Sequence, residues 1–493
     1  MAMSALKPQE ALPVTGPTAD SENIATDICI IGAGPGGLAV AAAAASFGRG
    51  VVLIERHKLG GDALNYGCVP ARAMAAVAKR AHAMRTAGIF GMVGRDPEVD
   101  PRSVNAHVRS VISTLEPNFS AERFAALGVR VIRAAGRFIN KKTVVAGEYR
   151  IKARRFVIAT GSSPSIPAIP GLDSVPYFTN ETIFDNQERL HSLIIIGAGS
   201  YALELAQSHS RLGSRVVVLA PGKALEGEDP ELARVVLEAL ASEGIGVHED
   251  ANVEAVEGGL GRVRVNVSVG GERHVVEGSH LLLCLGRKPS VSDLGLEAAG
   301  IRYDAGGIKV GRSLKTSNRR VFAIGEVTGA APYAQLADYH AGIVIRRALF
   351  HAPARVDARV IPRVTFTDPE LAYVGLSEAE AVKRVGKINV LRWPYRENDR
   401  AQAERETAGH VKVLTARDGK ILGAGIVGAQ AGELVQMWSL AISQGLGLKA
   451  MTEWISPYPT LSEINKRAAY SYYATAPSNS RLRKVINFLA KFG

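Results

Sequence analysis

Asp27-Ile28-Cys29-Ile30-Ile31-Gly32-Ala33-Gly34-Pro35-Gly36-Gly37 is the stretch that decides the fold of this chain. A short apolar run ends on a glycine turn, an alanine-rich stretch follows to about residue 47, and a second apolar run, Val51-Val52-Leu53-Ile54, comes next. Strand, turn, helix, strand in that order is the βαβ unit of a parallel sheet. The order then recurs downstream. Leu193-Ile194-Ile195-Ile196 leads into Gly197-Ala198-Gly199-Ser200-Tyr201-Ala202, a helical stretch to about residue 212, and Val216-Val217-Val218-Leu219.

Gly32, Gly34 and Gly37 stand in the spacing where missing side chains let a pyrophosphate approach the backbone and face the amides of a helix N-terminus. Glu55 closes the next strand and supplies a carboxylate for ribose hydroxyls, which makes the first unit a dinucleotide site. Gly197, Gly199 and Ala202 repeat the turn, with alanine where only a small residue is required. Glu55 lies 23 residues after Gly32, and the same offset from Gly197 falls on Ala220. Without an acid to repel a 2′-phosphate, and with Lys223 nearby, NADPH becomes at least as good a coenzyme as NADH. A solvated surface role is the other reading of Lys223.

A chain of 493 residues is long enough for several domains, and 47% hydrophobic with 22% charged residues describes an ordinary globular protein. The formal charge of +12 fits anionic small molecules; no basic run interleaved with aromatics calls for nucleic acid. Three widely spaced cysteines, Cys29, Cys68 and Cys284, argue against a disulfide framework and for a cytoplasmic setting, and no cluster reads as a metal site. The start, with Pro8, Pro13 and Pro17, reads as a flexible tail over residues 1–24 rather than a signal peptide, and no apolar stretch is long enough to span a bilayer. Short alternating runs between residues 128 and 160 predict a small β-meander, and residues 164–171 are turn-rich. From residue 362 onward helices near 377–385 and 431–444 alternate with strands at 412–414 and 421–422, without a phosphate turn.

Gly60-Gly61-Asp62-Ala63-Leu64-Asn65-Tyr66-Gly67-Cys68-Val69-Pro70-Ala71-Arg72 resembles the redox segment of the pyridine nucleotide-disulfide oxidoreductases, the family of dihydrolipoamide dehydrogenase, glutathione reductase and mercuric reductase. Ala159-Thr160-Gly161, Gly286-Arg287, Ala323-Ile324-Gly325-Glu326, Phe366-Thr367-Asp368-Pro369-Glu370 and Pro459-Thr460-Leu461-Ser462-Glu463 extend the likeness over about residues 25 to 475. The resemblance implies an α/β chain with two Rossmann-like dinucleotide-binding domains and a C-terminal α+β dimerisation domain. The FAD-binding domain would take residues 25–170 and 290–355, the NAD(P)-binding domain 171–289 and the interface domain 356–475, in a homodimer. Cofactor contacts are implied at Gly61, Thr160, Gly161, Gly286, Arg287, Gly325 and Glu326, and the Arg72–Glu204 pair would stand beside flavin and nicotinamide.

Several departures from the family fall at the chemistry. Family members carry CxxxxC; here the first position is Ala63, so the flavin-side thiol Cys68 stands alone, with Cys29 and Cys284 reading as small core residues. Family aspartate is Glu326, and family lysine is Arg72, which keeps the charge but not the shape. The histidine that protonates a leaving thiolate is replaced by Tyr458, ahead of Glu463; tyrosine, of pKa about 10, is a poor acid at neutral pH. The paired C-terminal cysteines of mercuric reductases are also missing. A dithiol-plus-histidine relay is therefore excluded, and a small-molecule electron acceptor reached through flavin is the leading reading. Its alternatives are a single-cysteine cycle through a sulfenic acid or mixed disulfide, and a non-catalytic FAD-binding paralogue. Cys68 precedes a helix predicted near Pro70, whose dipole is expected to lower its pKa. Finally, Ser480 is a suitable N-cap for a basic amphipathic helix over 481–492, docked on its own protein or resting weakly on an anionic membrane through residues 480–493.

Overall fold

A computed structural model describes residues 22–474 and 480–492. Residues 1–21 of the expected tail lie outside this range. The chain divides into two compact units, one of Met1–Lys223 and His248–Val356, the other of Ala224–Val247 and Asp357–Gly493.

The first unit is built on β1 (Glu22–Ile31), α1 (Pro35–Ser46), β2 (Val51–Glu55), α2 (Gly61–Asn65), α3 (Cys68–Thr86), and the strands β3 (Val129–Arg133), β4 (Gly136–Asn140), β5 (Thr143–Ala146) and β6 (Tyr149–Ile158). They form a sheet in the order β3-β2-β1-β6-β5-β4, with Val321–Ala323 added in parallel to β6. The end of β1, Ile28 to Ile31, is apolar on both faces because both are covered. Ile28 and Ile30 pack with Leu38, Val40 and Ala41 of α1 and with Ile343 and Val344, while Cys29 and Ile31 face Phe138, Val144 and Phe156. Gly36 lets the start of α1 approach its neighbours closely, since a Cβ there would stand 3.0 Å from the Ala337 carbonyl oxygen.

β1 begins at Glu22, so residues 22–24 of the expected tail are strand, paired with Tyr149, Arg150 and Ile151; their polar alternation hides them because only the later part of the strand is buried on both faces. Val129-Arg130-Val131-Ile132 is not part of a meander but runs parallel to β2 at the sheet edge. Half of it is exposed there, which produces the alternation. The meander itself is β4-β5-β6, antiparallel as expected.

The second glycine turn sits between Ser192–Ile196 and the helix Ser200–Arg211, in a parallel arrangement with Arg215–Leu219 and His280–Leu283. An antiparallel triplet of Ala251–Gly259, Arg262–Val269 and Glu272–Gly278 follows. The second compact unit holds a five-stranded antiparallel sheet, ordered Arg363–Thr365, Glu370–Gly375, Ile421–Gly428, His410–Thr415, Asn389–Pro394. Helix Ala431–Ser443 packs on it through Trp438, whose indole N–H donates to Asn465 Oδ1 at 2.8 Å.

Candidate active site

Both glycine turns are shaped by the same close approach. Gly32 has φ +105°, and a Cβ there would meet the Ala159 carbonyl oxygen at 2.4 Å; at Gly37 it would meet that of Gly32 at 1.9 Å. Gly197, φ +113°, would strike the Cys284 carbonyl oxygen at 2.2 Å. Gly34 and Gly199 meet nothing within 4 Å, so their bare backbone borders open space at the start of a helix. Ala202 is buried at the third place of the second turn. Glu55 Oε2 accepts from Ala33 N at 2.6 Å and Oε1 from His57 N at 2.8 Å, so the carboxylate assigned to ribose also braces the turn.

The first turn and Glu55 border a cavity of about 410 Å³, together with Cys68, Thr160, Arg287 and Glu326, whereas Gly37 and the second turn, Gly197, Gly199 and Ala202, do not line it. Gly32, Gly61, Gly161 and Gly325 line it too, so the groups expected to hold FAD share one space in which the glycines leave backbone exposed. The residues fit the group.

Arg287 organises the polar wall. Its Nε donates to Ser162 Oγ at 2.6 Å and Glu326 Oε2 at 3.0 Å, and Nη2 to Asp62 Oδ1 at 3.2 Å and the Ser162 carbonyl at 2.9 Å. The Ser162 hydroxyl also contacts Glu326. Burial pushes the Asp62 and Glu181 carboxyls up, with Arg287 opposing in both cases. Thr160 Oγ1 donates to the Ser290 carbonyl at 2.8 Å, and Ser290 N to the Gly161 carbonyl at 3.0 Å. Gly325 N donates to His340 Nδ1 at 3.2 Å; burial lowers this imidazole to about 4, so it is neutral and its lone pair is available. Gly286 supplies the positive φ, +89°, before Arg287.

Cys68 opens α3 and borders the cavity with Ala63. The helix thus starts two residues earlier than expected. The thiol is exposed, yet its pKa is raised, first by the protein packed around it and then by the Asp62 and Glu204 carboxylates; Arg72 and its own backbone act in the opposite sense. The expected lowering by the helix N-terminus is overturned, because two anions and desolvation outweigh one cation and one amide. Arg72 pairs with the buried Glu204. Tyr201, directly after the second glycine turn, donates its hydroxyl to the Tyr66 carbonyl at 3.0 Å and joins that turn to the thiol segment.

Other candidates fall elsewhere. Lys223 Nζ is ion-paired with Asp250 at 2.7 Å and Glu249 at 3.2 Å, which reduces its value as a phosphate ligand. Tyr458 and Glu463 belong to the second compact unit and are not among the residues bordering the cavity. The Tyr458 hydroxyl donates to Asp399 Oδ2 at 2.7 Å, which pushes its pKa up and weakens it further as an acid; Glu463 pairs with Arg467 at 2.9 Å. Cys29 is fully buried, as expected, whereas Cys284 is only half-buried, its thiol pushed up to about 12 by burial.

Asp62, Ser162, Glu181, Tyr201 and His340 were not singled out by sequence reasoning. Asp62 offered a signal, since an acid flanked by glycines and alanine in a buried segment requires a cation. The others offered none, because their partners are distant in sequence.

Two glycine-turn units, a cavity fit for FAD at the first of them and a thiol at a helix start define a flavin- and nicotinamide-dependent oxidoreductase. Residues 26–343 match the family model described as pyridine nucleotide-disulphide oxidoreductase, and residues 361–469 match the dimerisation domain of the same family. The chain belongs to that family, whose members bind FAD and NAD(P)H. It is 33% identical over 449 residues to a mercuric reductase of Lysinibacillus sphaericus, covering 90% of this chain and 82% of that protein. It is 32% identical over 455 residues to a dihydrolipoyl dehydrogenase of Bacillus subtilis, covering 90% and 96%. Among solved structures, LpdA from Mycobacterium tuberculosis superposes with a TM-score of 0.83 at 26% identity, over 90% of this chain and 99% of that one. The HOCl-induced flavoprotein disulfide reductase RclA from Escherichia coli shares the fold, with a TM-score of 0.80 at 24% identity over 90% and 99%. The dimerisation domain supports a homodimer. No helix among the described residues is long and apolar enough to cross a membrane.

Proposed function

We propose that this protein is an FAD-dependent NAD(P)H oxidoreductase that passes electrons through its flavin to a small acceptor, without a dithiol relay. The observation that carries this reading is the lone thiol: Cys68 borders the cavity while Ala63 stands where the family has its first cysteine. FAD held in this cavity would supply two-electron chemistry between a nicotinamide and the acceptor. The chain's own part is to bind and orient. Gly32, Gly34 and Gly37 open the backbone to a pyrophosphate, Glu55 offers its remaining lone pairs to ribose, and the Asp62–Arg287–Glu326 group fixes the cavity wall. Arg72 and Glu204 hold opposite charges beside Cys68, and Gly197, Gly199 and Ala202 form the nicotinamide coenzyme's turn. The coenzyme is NADPH or NADH: Ala220 favours the former, and the acids paired with Lys223 favour the latter. Tyr458 and Glu463 complete the site from the homodimer's interface domain in this reading, and the three free thiols suit the cytoplasm.

Anaerobic mixing with each coenzyme tests the reading. NADPH or NADH should bleach the flavin absorbance, and bleaching should persist in Cys68→Ser. A flavin that neither coenzyme bleaches would leave only the non-catalytic paralogue. The exposure of Cys68 favours one second reading, a cycle through a sulfenic acid or mixed disulfide. Failure of a sulfenic-acid reagent to label Cys68 after peroxide treatment ends it.

A further inference from the structure

The segment after the dimerisation domain is an amphipathic helix, Ser480–Leu489, whose backbone continues through Ala490 N to Ile486 O at 2.9 Å and Phe492 N to Leu489 O at 3.0 Å. It starts at Ser480 and ends at Leu489, slightly displaced from the span expected for it. Val485, Ile486, Phe488, Leu489 and Phe492 are between 53% and 74% exposed, so this apolar side is not docked on the described residues of its own chain. The Phe488 and Phe492 rings meet edge to face, with centroids 5.2 Å apart, and lengthen the apolar side by a turn. Residues 480–493 contain Arg481, Arg483, Lys484 and Lys491 and no acid.

We infer that this helix is a surface-lying anchor for an anionic lipid bilayer. The charge pattern selects the occupant. A second copy of the helix would bring the same four cations against these, and the chain as a whole carries +12. An anionic bilayer surface accepts both sides at once: apolar side chains enter the headgroup–acyl boundary while lysine and arginine meet lipid phosphates. Ten residues make a helix of about 15 Å, half the hydrocarbon thickness, so it lies in the surface rather than crossing it. The inference is independent of the redox reading.

Co-sedimentation of the full-length holoprotein with vesicles tests it, using equal parts phosphatidylglycerol and phosphatidylcholine against phosphatidylcholine alone. Binding is expected to the anionic vesicles only and to weaken with salt. Arg483→Ala with Lys484→Ala should weaken it on the order of thirtyfold, at about fivefold per cation. Ile486→Glu with Phe488→Glu, or deletion of residues 480–493, should abolish it while the flavin spectrum, a check on folding, stays unchanged. No binding, equal binding to both vesicles, or binding that survives the deletion would overturn the inference. So would a deletion variant that sediments as a monomer where the full chain is a dimer, since the helix would then be an interface between copies.

Discussion

At the residue scale, single methyl groups and single charges set what the cavity holds. At Gly37 an added Cβ would collide with backbone, the Gly32 carbonyl oxygen at 1.9 Å, so no side-chain motion relieves it. The equivalent Ala202 already fills its place at 1% exposure. Gly37→Ala is therefore expected to lose FAD affinity by about tenfold or more, the scale of 1–3 kcal/mol of overpacking. The ratio of flavin to protein absorbance after dialysis measures this, and undiminished flavin would refute the cradle. Charge acts on Cys68 in two opposed senses. Asp62→Asn removes an anion that raises the thiol pKa, so the pH midpoint of alkylation by iodoacetamide should move down, whereas Arg72→Met removes a cation and should move it up. Equal midpoints in both variants would show that desolvation alone sets the thiol.

At the element scale, the helix Ala334–Ala348 braces the Gly325–Glu326 turn through His340. Burial lowers His340 to about 4, and burial with His280 nearby lowers His209 to about 4 as well, against about 6.5 in an unfolded chain. The unfolded chain thus binds protons first as pH falls. Stability held above pH about 6.5 should be lost down to about 4, at roughly 1.4 kcal/mol per pH unit for each histidine. His340→Leu should reduce that slope while costing about 1–3 kcal/mol at neutral pH, because the Gly325 N–H is left unpaired. Denaturant midpoints at several pH values measure both, and an unchanged slope would place the acid sensitivity elsewhere. Elements of this kind were largely legible. The strand-turn-helix-strand units stood out because Ile28 to Ile31 of β1, β2 and Ser192–Ile196 are buried on both faces and read as apolar runs. Half-exposed strands such as β3, and the polar start of β1, were not legible because exposure removes the signal. The Asp62–Arg287 contact spans 225 residues, so no local pattern could announce it.

At the scale of the whole molecule, the chain passes between its two compact units after Lys223, Val247 and Val356, which leaves the helix Pro230–Ser242 in the second unit although its sequence neighbours lie in the first. Lys412 holds it there. Read from sequence only as a strand residue, this lysine is 4% exposed and meets Asp229 at 2.7 Å, Glu378 at 2.9 Å and Glu231 at 3.1 Å. Asp229 also caps the helix, accepting from Glu231 N at 3.0 Å. Arg392, followed by Lys412, lowers Glu231 to about 2 against the opposing effect of burial, so its contribution is complete above pH about 4.5 and is lost as pH falls toward 2. Lys412→Met removes the cation and strands the buried Asp229 carboxylate, a loss of about 3–5 kcal/mol. A molecule of two units need not unfold in one step, so the loss is better read locally. Hydrogen exchange of amides in residues 230–242 should accelerate strongly in Lys412→Met at neutral pH, with the five-stranded sheet less affected. Unchanged exchange there would mean that apolar packing through Leu232, fully buried on this helix, holds it without the charges. Acceleration confined to the helix would show that ion pairing sets which unit this segment joins.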